Sequence, residues 1–246
     1  MRDFRLARTR ALAGLAALAL IAVACGGGGG DDVVVVFAAA SLTDAFGALE
    51  AEYEAQNPGV DVQLNLAGSA RLRAQIDEGA PADVFAAAAP GHVEGLYGGD
   101  SAPLVFATNG LVIAVPRGNP GGVTGLQDLA SEELLVGLCD PRVPCGEYAE
   151  ALLAEAHVTA APDTLEPDVR SLLAKIASGD LDAGLVYATD AGSDDRVDMI
   201  EAPETGVTAT YPVVQLSDET HASGFVELLT GSTGQDILRS HGFGAR

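Results

Sequence analysis

Five places in this chain put a hydrogen-bond donor where a strand turns into a helix. They centre on Ser41, Ser69, Cys145, Val169 and Tyr187. The first turn of a helix leaves backbone N–H groups without acceptors, at the positive end of the helix dipole, and so makes a ready site for an anion. Ser41 and Ser69 add hydroxyls. Pro144-Cys145-Gly146 and Asp168-Val169 each enter a helix with their amides outward, and Tyr187 ends a buried strand and offers a phenol. Taken singly, each is ordinary. A serine at a helix start is usually a cap, a helix-opening valine usually packs, and a strand-end tyrosine does too. Ser41 with Asp44 three residues on also reads as a capping pair.

The elements that must position these residues follow from hydrophobic period. Residues 33–36 are four valines, a buried strand. Leu42, Ala45, Phe46, Leu49 and Tyr53 then fall at helical spacing. Alternation over 60–66 predicts a half-buried strand, followed by a small-residue turn and a helix carrying Leu72 and Ile76 inward. Further strands are expected at 82–87, 111–115, 133–138, 183–187, 197–201 and 211–216. Further helices are expected at 92–97, 126–130, 146–157, 168–178, 222–230 and 234–241. Strands alternating with helices over this length mean an α/β architecture with parallel sheets. The turn cluster Gly118-Asn119-Pro120-Gly121-Gly122 marks a change of block.

Composition narrows the function. The 246 residues are 48% hydrophobic, enough to bury a core. With 13 Lys and Arg against 35 Asp and Glu the net charge is -22. That balance argues against nucleic acid and against electrostatic attachment to anionic lipid. It also repels small anions at long range, so an anion site here must work through short-range dipoles. No Gly-x-Ser-x-Gly, P-loop or dinucleotide fingerprint is present. The four histidines, His92, His157, His221 and His241, are scattered and read as surface or core residues.

The N-terminus reads as a targeting segment. Arg2, Arg5, Arg8 and Arg10 precede an apolar run at 11–24 that is short for a membrane span. Its end, Ile21-Ala22-Val23-Ala24-Cys25, resembles a bacterial lipoprotein signal, with Ala22 where that pattern usually has Leu. The resemblance implies a signal peptide at 1–24, lipidation of Cys25 and a flexible Gly-rich tether at 25–32. Loss of 1–24 would leave 9 basic and 34 acidic residues, a net -25. A plain secretory signal or an uncleaved anchor helix is the alternative. Outside the cytoplasm, Cys139 and Cys145 favour a disulfide. A metal pair is the other reading, but zinc takes about four ligands and no further ligand motif accompanies them.

Phe37-Ala38-Ala39-Ala40-Ser41-Leu42-Thr43 and Gly79-Ala80-Pro81-Ala82-Asp83-Val84-Phe85 resemble the signature of the molybdate-binding proteins of bacterial ABC importers. Further matches follow in order: Asp140-Pro141, Val143-Pro144-Cys145-Gly146-Glu147-Tyr148-Ala149, Asp168-Val169-Arg170, Gly184-Leu185-Val186-Tyr187-Ala188-Thr189-Asp190-Ala191, Tyr211-Pro212-Val213 and His241-Gly242-Phe243. The resemblance spans about residues 33–244. It implies a two-lobed periplasmic-binding-protein fold of type II, each lobe a mixed, mostly parallel sheet flanked by helices. On that pattern lobe 1 holds 33–113 and 214–246, lobe 2 holds 114–213, and the ligand sits in the cleft between them.

The ligand so implied is molybdate or tungstate. The family's ligand places fall on Ser41 and Ser69 in lobe 1 and on Cys145, Val169 and Tyr187 in lobe 2. Ser41, Ser69 and Tyr187 would donate through hydroxyls, Cys145 and Val169 through backbone N–H. The turn Ala67-Gly68-Ser69-Ala70 lacks the longer Ser/Thr run of many relatives, and the Cys145 place often holds a small residue. The implied partners are the membrane permease of an ABC importer and the membrane itself through a lipid anchor only. The protein is expected to be a monomer, outside the cytoplasm, with no cofactor, no bare metal ion, no nucleic acid and no enzymatic activity.

A site made of donors suits an oxyanion with no proton at neutral pH. Phosphate keeps a proton there and wants an acceptor, for which Asp44 and Asp168 are the nearby carboxylates, both readable as helix caps. Sulfate is also a bare dianion. The rival readings are the same fold with sulfate, thiosulfate, phosphate or ferric iron, a secreted hydrolase using Ser41 or Ser69, and a structural surface lipoprotein. An iron site wants clustered Tyr, His and carboxylates. A hydrolase wants a His base, and no His lies at any of the five junctions.

Overall fold

β-Branched residues fit a pleated, buried surface, and the valine run forms strand β1 (Asp32–Ala39), with Val34 and Val36 inside. The structure is a computed structural model that describes residues 32–96, 103–203 and 205–245. The signal segment, Cys25 and the tether up to residue 31 lie outside the described residues. Asp32, expected as the end of the tether, is already paired with Val60 in the sheet.

After β1 come a 3-10 turn (Ala40–Leu42), α1 (Thr43–Gln56), β2 (Val60–Ala67), α2 (Ser69–Asp77), β3 (Val84–Ala86) and β4 (Leu104–Asn109). The chain then crosses at Gly110 into β5 (Leu111–Pro116), β6 (Val136–Cys139), α3 (Pro144–Glu155), β7 (Thr164–Glu166) and α4 (Val169–Ser178). β8 (Ala183–Tyr187), α5 (Ala188–Gly192) and β9 (Val197–Glu201) complete that block. β10 (Ala209–Gln215), α6 (Thr220–Thr230) and α7 (Ser232–Ser240) return to the first.

Two five-stranded sheets result, ordered β2-β1-β3-β10-β4 and β7-β6-β8-β5-β9. β1 is parallel to β2 and β3, and β6 is parallel to β7 and β8. In each sheet the strand arriving from the other lobe is antiparallel to its neighbours: β10 against β3 and β4, β5 against β8 and β9. The two lobes thus share one topology. Sheet membership puts the crossings at Gly110 and between β9 and β10. The expected boundaries after 113 and 213 cut through β5 and β10, because apolar runs mark strands but not the sheet that takes them.

β4, β7 and α5 were not expected from periodicity. β7 and α5 are three and five residues long and give little periodic signal. Over 92–96 the described residues form no α-helix, and a 3-10 turn covers Pro90–His92; Tyr97, where the expected helix would end, lies outside the described residues. The segment 126–130 is likewise a 3-10 turn. α3 begins at Pro144, where a proline's missing N–H costs nothing.

In lobe 1, Phe46 of α1 packs against Phe106 of β4 and Phe225 of α6, with ring centroids 6.1 and 6.0 Å apart. The other face of that sheet buries Phe37, Leu72 and Phe85. In lobe 2, α4 lays Val169, Leu172, Leu173 and Ile176 on the sheet, the stripe its periodicity predicts. Both sheets are covered on both faces where they are parallel, as such sheets must be.

Candidate functional site

The site assembles at the ends of β1, β2, β6, β7 and β8, where each strand meets a helix or turn. Ser41 sits in the 3-10 turn after β1 and is 4% exposed. It is not the cap expected of it: its hydroxyl makes no cap bond and instead lies 3.1 Å from the Tyr211 hydroxyl. Ser69 is the first residue of α2, after Gly68 at the cap position. Its hydroxyl oxygen accepts the Ala88 N–H at 3.1 Å, which leaves its own proton free to donate elsewhere.

From lobe 2, Cys139 ends β6 and Cys145 lies in the first turn of α3, and the two are joined as a disulfide. Gly146 follows. A β-carbon there would run into the Asp140 carbonyl, so the stapled loop can fold tightly only with glycine. Asp168 caps α4, accepting the Ser171 N–H at 2.9 Å and its hydroxyl at 3.1 Å. Val169 is the first residue of that helix and is buried. The N–H groups of Ser69, Cys145 and Val169 all lie in first turns, where no intrahelical acceptor exists.

All five expected residues line one cavity of about 20 Å³ between the lobes. On the scale where about 10–15 Å³ admits one water, this space is too small for an organic molecule. Tyr187 lines it too, and its hydroxyl is buried without a hydrogen-bond partner among the described residues. Burial holds its pKa well above the ordinary phenol value, so it stays a donor at neutral pH. Three helix N-termini, of α2, α3 and α4, reach the cavity wall. Among the described residues that line it, Asp168 is the one charged group, and there is no His.

The lobes approach closely here. A β-carbon on Gly68 of lobe 1 would stand 2.8 Å from the Pro167 carbonyl oxygen of lobe 2 and 3.2 Å from Asp168 Cβ. Beside the cavity, Arg170 bridges the lobes. Its Nη2 lies 2.6 Å from Asp44 Oδ2, so Asp44 serves as an ion-pair partner and not as a cap. Arg170 Nε is also 2.6 Å from Asp190 Oδ1, although without hydrogen-bond alignment. Asp190 is fully buried; burial pushes its pKa up to about 7 against the pull of Arg170.

Sequence reasoning assigned no role to Arg170, Asp190, Asn109 or Tyr211. Three of them stand in the motifs quoted above, so they were visible as pattern, but nothing local shows what they touch. Asn109 Nδ2 reaches Thr189 Oγ1 at 2.8 Å and the Tyr211 hydroxyl at 3.4 Å, across the crossing between lobes.

Comparison with known proteins gives concordant results. A family model described as bacterial extracellular solute-binding protein matches residues 34–244. The molybdate-binding protein ModA of Mycobacterium tuberculosis is 38% identical over 216 residues, covering 84% of this chain and 82% of that protein. A solved substrate-binding domain of a putative molybdenum ABC transporter from Clostridium difficile aligns with TM-score 0.65 and 27% identity, over 87% of this chain and 99% of that one. The sulfate-binding protein SubI of Mycobacterium tuberculosis aligns with TM-score 0.75 at 16% identity, over 86% of each chain, a likeness of fold.

Proposed function

We propose, since the chain belongs to the bacterial extracellular solute-binding proteins, that it captures molybdate or tungstate outside the cytoplasm and hands it to an ABC import permease. The observation that carries this reading is the small interlobe cavity walled by donors, with a buried, unpartnered Tyr187 hydroxyl among them. A buried polar group without a partner is costly. An oxyanion bound in the cavity would supply the missing acceptor. The hydroxyls of Ser41, Ser69 and Tyr187 and the amides of Cys145 and Val169 would then surround one tetrahedral dianion. Aligned dipoles at helix starts stabilise such an ion without Lys or Arg, which suits a protein of net charge -22.

Binding without chemistry fits the same wall, which has no histidine beside its serines among the described residues, and whose one carboxylate, Asp168, is engaged in capping α4. The protein works as a monomer that closes its lobes on the ion by a hinge motion. The sequence before residue 32 supports export, lipidation at Cys25 and attachment to the outer face of the membrane through that lipid. No cofactor and no bare metal ion take part.

Sulfate is the second reading, favoured because, like molybdate, it is a dianion without a proton that suits hydroxyl and amide donors. Thermal shifts with molybdate, tungstate, sulfate and phosphate side by side test both. A large shift with molybdate or tungstate is expected. A large shift with sulfate alone would overturn the molybdate assignment and leave the fold untouched. The permease and the anchor are tested by molybdate uptake in cells carrying Cys25→Ala, which is expected to release the protein from the membrane.

A further inference from the structure

Every hydroxyl in this cavity faces a choice between donating and accepting, and the groups behind Ser41 make that choice for it. The Asn109 side-chain N–H donates towards Thr189 Oγ1 at 2.8 Å and towards the Tyr211 oxygen at 3.4 Å. An amide nitrogen only donates, so it occupies lone-pair space on Tyr211. The Tyr211 proton then goes to the remaining partner in reach, Ser41 Oγ at 3.1 Å. The Ser41 proton is thereby directed away from Tyr211, and Ser41 lines the cavity. Asn109 and Ser41 are 4% exposed and Tyr211 is fully buried, so water does not compete along this chain. Ser69 is fixed in the same sense by the Ala88 N–H.

We propose that Asn109 and Tyr211 are positioning residues that hold the Ser41 hydroxyl as a donor, and that they thereby set the site against oxyanions that carry a proton. The inference rests on the oxyanion reading of the cavity and extends it to residues that do not line it. A protonated anion needs one acceptor in the wall. Asp168 also lines the cavity, but its two carboxylate oxygens already accept the Ser171 N–H and hydroxyl. With both serine oxygens receiving a hydrogen bond from behind as well, the hydroxyls present protons to the anion.

The test is a comparison of molybdate and phosphate binding at pH 7, where every abundant form of phosphate carries a proton, using calorimetry on the full protein. Tyr211→Phe keeps the ring and removes the hydroxyl. It is expected to weaken molybdate a few-fold, to strengthen phosphate, and to lower the preference for molybdate by about tenfold. Asn109→Leu moves the preference the same way by less. In a Ser41→Ala background, Tyr211→Phe is expected to leave the preference unchanged, because the hydroxyl through which it acts is gone. Melting of the unliganded variants reports on folding separately. An unchanged preference in Tyr211→Phe, or the same change with Ser41 absent, would overturn the proposal. Wild-type protein that binds neither molybdate nor tungstate would overturn the reading of the site, and this inference with it.

Discussion

The two lobes are built on one topology but furnish the cavity differently. Lobe 1 offers side-chain hydroxyls, Ser41 and Ser69, each hydrogen-bonded to a residue beyond its own turn, Ser41 with the Tyr211 hydroxyl and Ser69 with the Ala88 N–H. Lobe 2 offers the starts of two longer helices, at Cys145 and Val169, and one phenol. A hydroxyl rotates and must be held, whereas a first-turn amide is held by the helix that carries it. Lobe 1 therefore needs partners behind its donors. Lobe 2 needs a rigid entry into its helices, which the Cys139–Cys145 disulfide and the Asp168 cap supply.

The contrast can be broken most severely at the contact between the lobes. Gly68→Val places side-chain atoms where even one β-carbon would meet the Pro167 carbonyl at 2.8 Å. It is expected to hold the lobes apart and abolish molybdate binding in calorimetry, with the unliganded melting temperature little changed. Next come the hydroxyls. Tyr187→Phe and Ser69→Ala are each expected to weaken binding by about 1–3 kcal/mol, the cost of a buried acceptor left unmade. Unchanged affinity in both would sink the site.

Lobe 2 amides predict smaller effects. Val169→Ala keeps its N–H, so affinity should change by less than in Ser69→Ala, although burial at 3% exposure means some loss of stability. Replacing both cysteines by Ala reopens a six-residue separation and is expected to cost about 2 kcal/mol of stability by loop entropy. Affinity should fall less, since the Cys145 amide remains in α3. If that double variant lost binding as fully as Gly68→Val, the lobe 2 loop would be the dominant element and the comparison would invert.

A last test reads stability instead of binding, at Asp190 beside the lobe contact. Its folded pKa, about 7, lies above its ordinary value of 3.8 because burial disfavours the charged form. The folded state then holds a proton that the unfolded chain releases, and stability falls as pH rises from about 4 through about 7. Asp190→Asn is expected to flatten that slope in melting curves taken across the same window.

Much of the site was legible in the chain because its donors sit where strands become helices, and those places are written in local pattern. β1 followed by Ser41, β2 followed by Ser69, and the starts of α3 and α4 all follow from valine runs, alternation and helical stripes. The resemblance to a known family joined them into one site. Local pattern misread Ser41 and Asp44 as caps, since a polar residue at a helix start looks the same whether it bonds the next turn or a residue far along the chain. Tyr211 and Arg170, their actual partners, lie 170 and 126 positions away.

By itself the sequence determined the α/β class, the acidic and anion-averse surface, the cysteine pair and the five donor positions. These depend on residue type and short-range period. Tertiary structure decided which sheet receives β5 and β10, how closely Gly68 meets Pro167, and which residue the Ser41 hydroxyl meets. Those are set by contacts between residues remote in the chain, where packing and hydrogen-bond geometry, not local preference, choose among alternatives that look alike in sequence.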